Sequence, residues 1–151
     1  MVDIIHRIGI KAPLAKVREA VSTVPGVAGW WTRDTTGSAK VGGKVNVRFL
    51  HKGGNEIGQM DFEVTQVTDN RVEWRVLAGP PEWVGTTATF DLTHDGEMTV
   101  LIFGHRGWKE AVEFTAHCSM KWATFLLSLR ELVETGKGRP APDDMKIDNW
   151  N

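Results

Sequence analysis

Five consecutive segments in which apolar and polar residues alternate, followed by one long amphipathic stretch of helical period, leave this chain few ways to fold. Val45, Val47 and Phe49 alternate with Lys44, Asn46 and Arg48; Met60, Phe62 and Val64 with Asp61, Glu63 and Thr65; Val72, Trp74 and Val76 with Arg71, Glu73 and Arg75. Two further segments, about Thr86–Thr93 and Met98–His105, meet at Asp95-Gly96, a dipeptide that accepts the positive φ angles of a tight hairpin. A period of two puts every second side chain on one face, so the set predicts an antiparallel meander with one apolar side. The helical stretch supplies the cover. Phe114, Cys118, Trp122, Phe125, Leu129 and Leu132 recur at spacings of 4, 4, 3, 4 and 3, a wide continuous face, and Gly136 and Gly138 end it. Glu110, His117, Lys121, Thr124, Ser128 and Glu131 fall together on the opposite side, while Met120 and Leu127 stand outside the apolar face and point to a second contact such as a dimer partner.

Upstream, Ile4–Ile10 reads as a first strand with Ile4, Ile8 and Ile10 on one face. Pro13 opens a helix striped by Leu14, Val17, Ala20 and Val21; Pro25-Gly26 ends it, and a short segment carrying Gly29-Trp30-Trp31 follows. The order is strand, helix, five strands, long helix. This is an α+β chain: a curved antiparallel sheet of about six strands around a long C-terminal helix, with one or two short helices after the first strand. A single helix cannot fill the whole concavity of such a sheet, and a gap of this kind is where a ligand is held. No repeat or linker interrupts residues 1–138, which form one domain, and the Pro-rich segment 139–151 is expected to be an irregular tail.

Lys plus Arg number 18 against 19 Asp plus Glu, a near-balance without the basic footprint of a nucleic-acid binder. The lone cysteine excludes a disulfide framework within one chain, and the N-terminal residues lack the apolar core of a leader. No apolar run reaches membrane-spanning length, so a cytoplasmic location without a membrane span is expected. The composition is unusual in one respect: seven Trp and six Phe but no Tyr. So many large rings imply either a crowded core or an aromatic-lined pocket.

Phe49, Phe62, Trp74, Phe90, Phe103 and Trp122 share faces that point to one interior. Trp30, Trp31, Trp83 and Trp108 fall in loops or at element ends, where exposed rings suggest a pocket mouth or lid. Phe114 and Cys118 extend the lining from the helix. His105 follows Thr99, Leu101 and Phe103 in phase, which puts a protonatable group at one end of an apolar cavity, where it would bind an acidic group or move a proton; a histidine fixing a turn fits as well. Cys118 cannot be activated by His117, because neighbours on a helix diverge by about 100°, and it reads as a buried, inert thiol. His6, His51 and His94 show no metal-ligand spacing, so neither a metal nor another cofactor is expected.

The segments Gly29-Trp30-Trp31, GPPEWVGTTATFDL (79–92), HRGWKEAVEFTAHCSMKWATFLLSL (105–129) and ETGKGRPAP (134–142) resemble the START-like (SRPBCC) superfamily, and within it the branch related to the C-terminal domain of the activator of heat-shock protein 90 ATPase. The resemblance implies a helix-grip fold with an elongated, largely apolar pocket, and bacterial relatives. Superfamily members include lipid and hormone binders, polyketide cyclases and aromatases, and co-chaperone domains. A chaperone partner follows from the resemblance alone. The residues themselves favour a binder of a small apolar ligand, lipid-like or aromatic, as a monomer or homodimer. A cyclase- or aromatase-like catalyst is the alternative. A catalyst would need a partnered polar pair in the pocket, and the pattern yields a single candidate, His105.

Overall fold

The computed structural model describes residues 1–151 as a seven-stranded antiparallel sheet curved around one long helix. The elements are β1 (Val2–Ile10), α1 (Leu14–Ser22), α2 (Val24–Trp30), β2 (Asp34–Gly37), β3 (Lys44–Leu50), β4 (Glu56–Val67), β5 (Arg71–Ala78), β6 (Thr87–Asp95), β7 (Met98–Trp108) and α3 (Glu113–Thr135). Strand order is β1-β7-β6-β5-β4-β3-β2, so β3 to β7 form the expected meander and β1 closes it beside β7. The seventh strand, β2, is only four residues long and mostly polar, and its pairing with β3 has no periodic signal in the sequence.

The alternation works as the pattern requires. Val45 and Val47, Phe62 and Val64, Val72 and Trp74, Phe90 and Leu92, and Leu101 and Phe103 all turn inward and are buried. The outward residues carry charge, as where Arg71 spans Glu73 and Asp91. Register shifts in the β3–β4 and β4–β5 pairings bend the middle of the sheet. The Asp95-Gly96 hairpin forms with Gly96 at φ 62°.

Pro25-Gly26 does not simply end α1. Thr23 leaves the helical region, its hydroxyl accepts from the Gly26 N–H, and Pro25 occupies the first turn of a new helix, α2. The same dipeptide that stops one helix is suited to starting another, since proline lacks the N–H that a first turn leaves unpaired. This places Trp30 and Trp31 on a helix end facing the core. The expectation that Trp30, Trp31, Trp83 and Trp108 are exposed is overturned, because all four are buried. Trp108 is also the last residue of β7, three residues beyond the expected end of that strand.

The polar side of α3 is not given to water either. Lys121 and Ser128 are buried there, because the chain after Gly138 folds back over them. Ser128 Oγ donates to the Trp30 carbonyl and accepts from the Arg139 N–H, and Ala141 exchanges backbone hydrogen bonds with Trp31 and Arg33. No helix is long and apolar enough to cross a membrane. Leu129, fully buried on the sheet-facing side of α3, is a direct reporter of this packing. Leu129→Ala should cost about 2–5 kcal/mol in urea unfolding, whereas Leu77→Ala, 36% exposed on β5, should cost about 1 kcal/mol or less.

Candidate functional site

Within the grip, ring packing is uneven. Trp74 lies between Phe62 and Phe90, with ring centroids 4.4 and 4.6 Å away, and Trp30 stacks on it from α2 at 6.5 Å. Phe103 meets Phe90 edge-on and Trp122 at 4.5 Å. These rings fill the β5–β7 half of the concavity. The remaining crevice there, bordered by Phe62, Trp74 and His105 among others, measures only ≈ 10 Å³, about the minimum for one water.

The other half stays open. Between the first turns of α3 and the strands β3 to β5 lies a cavity of ≈ 940 Å³. Trp31, Phe49, Trp122 and Phe125 form its apolar wall, and Trp83 and Phe114 flank it. The strand side is built from residues with little or no side chain, Gly58, Ala78 and Gly79. Gly58 is in phase with the inward-facing Met60 and Phe62, and a Cβ placed on it would meet nothing within 4 Å. Gly79 is at φ 143°, and a Cβ there would lie 2.6 Å from Met60 Cγ, so glycine is required. The tail supplies the rim: Trp150 and Asn151 reach the cavity, and Trp150 packs on Phe114 and His117.

Of the thirteen residues singled out by pattern, Trp31, Phe49, Trp83, Phe114, Cys118 and Trp122 line this cavity. Trp30, Phe62, Trp74, Phe90, Phe103, His105 and Trp108 do not; they are packed in the core. Strand phase puts Phe49 with Phe62, Trp74, Phe90, Phe103 and His105, but Trp30 packs on Trp74 and Phe90, and Trp122 on Phe103 and His105.

His105 is the sharpest correction. It is fully buried among Trp83, Trp108 and Trp122 and faces no cavity large enough for a ligand. Trp122 Nε1 donates to His105 Nδ1 at 3.0 Å, so Nε2 carries the proton and donates to Thr86 Oγ1 at 2.8 Å. Thr86 in turn donates to the Trp83 carbonyl at 2.6 Å. Burial pushes His105 down to about 3, which keeps it neutral. It therefore anchors Trp122 and Trp83 and offers no charge to an acidic ligand. Cys118 is equally inert as a nucleophile: burial pushes its thiol up to about 12.

Two pairs were missed because their partners lie in the tail. Lys121 Nζ contacts Asp144 Oδ2 at 2.5 Å and the Met145 carbonyl at 2.8 Å, and stands 5.1 Å from the centre of the Phe125 ring. Burial alone would raise the Asp144 carboxyl, but hydrogen bonds from Lys121 and Lys146 outweigh it and hold the group below its ordinary value. His117 Nδ1 lies 2.7 Å from Asp148 Oδ2, a hydrogen bond that likewise lowers Asp148. Gly58 does carry a signal in the sequence, a glycine two residues before the alternating run that starts at Met60.

The fold has clear counterparts. The Aha1 dimer from Colwellia psychrerythraea is 42% identical over 91% of this chain and 100% of that one, with a TM-score of 0.76. The chain belongs to the START-like, helix-grip superfamily. DynU16, a protein of the dynemicin biosynthetic locus, is 25% identical over 90% of this chain and 48% of its own, at a TM-score of 0.70. Protein MLL2253 from Mesorhizobium loti shares the fold at 20% identity, covering 88% and 97% of the two chains with a TM-score of 0.72. No family model matches the chain, and no curated protein matches it significantly.

The buried histidine makes stability depend on pH in a defined direction. The folded state keeps His105 neutral down to about 3, whereas the unfolded chain takes up that proton near the ordinary value of about 6.5. Between these values the unfolded state holds the extra proton. The contribution is therefore complete above about pH 6.5 and is lost on acidification, by up to about 1.4 kcal/mol per pH unit. His105→Gln, which retains a donor and an acceptor, should unfold in urea with a shallower dependence on pH between 6 and 4 than the parent. Equal slopes would show that His105 titrates normally in the fold.

Proposed function

We propose that the protein binds one small, largely apolar molecule, lipid-like or aromatic, in the cavity between β3–β5 and α3. The observation that carries this reading is the open cavity itself: ≈ 940 Å³ walled by indole and phenyl rings, beside a core that similar rings fill almost completely. A few hundred to a thousand cubic ångströms, mostly apolar, is the size and character of a small-molecule site. Catalysis of the cyclase kind has less support. Its acid–base candidate, His105, is sealed behind Trp122 and Trp83, and the Cys118 thiol stays protonated.

The superfamily branch related to the activator of heat-shock protein 90 ATPase is the one we assign, on the identity to the Colwellia Aha1 protein. That relative is a dimer, and a homodimer of this chain would use the outward side of α3, where Met120 and Leu127 are 56% and 44% exposed. Such a binder, without a spanning helix, fits a cytoplasmic location.

Neutral N-phenyl-1-naphthylamine should bind with a stoichiometry near one and raise thermal stability, by about 2.7 kcal/mol at a hundredfold excess over Kd. Gly58→Leu projects a side chain into the open space and should weaken that binding at least tenfold. Unchanged affinity in Gly58→Leu, or no binding by the parent, would sink the assignment. For assembly, Leu127→Glu should convert a dimer to monomer in sedimentation equilibrium. A parent that is monomeric at high concentration removes the dimer.

A further inference from the structure

We propose that residues 147–151 form a hinged cap on the mouth of the cavity, which swings off α3 to pass an apolar ligand and closes over it through Trp150. This deepens the binding reading and rests on it. The tail divides sharply at Asp144. Up to that residue it is fixed to the body: Ala141 exchanges backbone hydrogen bonds with Trp31 and Arg33, Arg33 pairs with Asp143, and the buried Asp144 carboxylate takes the Lys121 ammonium. Beyond it, residues 145, 146 and 148–150 are exposed.

Residues 147–151 are closed on themselves. The Ile147 N–H donates to the Asn151 main-chain oxygen at 2.9 Å, and one oxygen of Asp148 accepts from the N–H groups of Trp150 and Asn151 at 2.8 and 3.3 Å. This knot keeps those hydrogen bonds when it moves as a unit. Three others tie it to the fixed part. His117 Nδ1 donates to Asp148 Oδ2 at 2.7 Å, while the bonds from Asn151 Nδ2 to Asp144 and from Lys121 to the Asn151 oxygen are long, at 3.3 and 3.5 Å. One short, exposed hydrogen bond and the contacts of a single indole make a weak attachment. Segments held in this way open locally while the core stays folded, and the exposed Met145 and Lys146 supply the hinge.

Trp150 packs on Phe114 and His117, with ring centroids 6.4 and 5.2 Å away, and all three residues border the cavity. It is 48% exposed, whereas the other six tryptophans are buried. A large apolar ring is thus held at the mouth with part of its surface still in water. A ligand that extends to the mouth buries that surface only while the cap is closed. Occupancy therefore favours closure, because the ligand makes this contact in one state of the hinge and not in the other. Release then waits for the cap to open, as it does under an active-site lid.

Stopped-flow fluorescence of N-phenyl-1-naphthylamine separates a hinge from a fixed wall. Asp148 does not line the cavity, and Asp148→Ala removes both the tie to His117 and the acceptor that holds the knot together. Association and dissociation rate constants should both rise more than twofold. Asp148→Asn, which keeps an acceptor oxygen, should restore the parent rates. Trp150→Ala should speed dissociation at least fivefold. If Asp148→Ala leaves association within twofold of the parent, the segment is a fixed wall and the hinge is overturned. An unchanged dissociation rate in Trp150→Ala overturns the cover. Both of these outcomes leave apolar binding intact. A parent that binds no probe removes the binding reading, and the cap with it.

Discussion

The hydrogen bond from Trp122 to His105 determines which half of the grip is core and which is cavity. An indole has one polar atom, and in the interior that atom needs an acceptor. His105 provides it from β7, and its own proton is passed to Thr86, so the chain Trp122–His105–Thr86–Trp83 carbonyl leaves none of its side-chain members unpaired at those atoms. Trp122 is thereby held flat between Phe103 on the filled side and Trp31 and Trp83 on the open side. A rotation of that ring would join the small crevice to the large cavity, since both share Trp31, Met60, Trp83 and Trp122 as walls. Two buried indole nitrogens, on Trp83 and Trp108, have no hydrogen-bond partner, and both flank His105. The polar demand of this corner exceeds what one imidazole can meet.

The second constraint is the tail. Segment 139–151 adds no helix, yet it buries the one lysine of α3 that would otherwise project beside the cavity. A buried ammonium without a counter-ion is costly, and Asp144, itself almost inaccessible, meets that need together with two main-chain oxygens. The same segment carries Trp150 to the rim. Closing the polar side of α3 and shaping the cavity mouth are thus one structural event, and the engagement of Lys121 depends on it.

How far these features could be read from sequence follows from their range. Strands β3 to β7 and helix α3 announce themselves through local periods, and their apolar faces are the buried ones. The short strand β2 and the start of α2 at Thr23 depend on pairing and capping rather than on period, so they were not legible in the same way. For the site, phase along a strand identifies the concave face but not the depth at which a residue sits. His105 and Phe49 both point inward. One is covered by α3 and three tryptophans, while the other reaches open space near the end of β3. The pairs Lys121–Asp144 and His117–Asp148 join residues more than twenty positions apart, with no pattern to link them. The cavity itself is marked less by what lines it than by side chains withheld, at Gly58, Ala78 and Gly79, and a missing side chain leaves only a faint trace in a hydropathy pattern.

Leaving that half unfilled has a physical consequence. The rings of Trp31, Phe49, Trp122 and Phe125 could be covered by larger residues at the strand positions, as Trp74 and Phe90 cover their neighbours, and the protein would gain buried apolar area. Gly58 in particular has room for a side chain without backbone strain. Instead, these rings border open space. An occupant that desolvates those rings recovers the forgone burial. Ring packing sets where the open half begins, and the side chains withheld at Gly58, Ala78 and Gly79 set how much a ligand gains there.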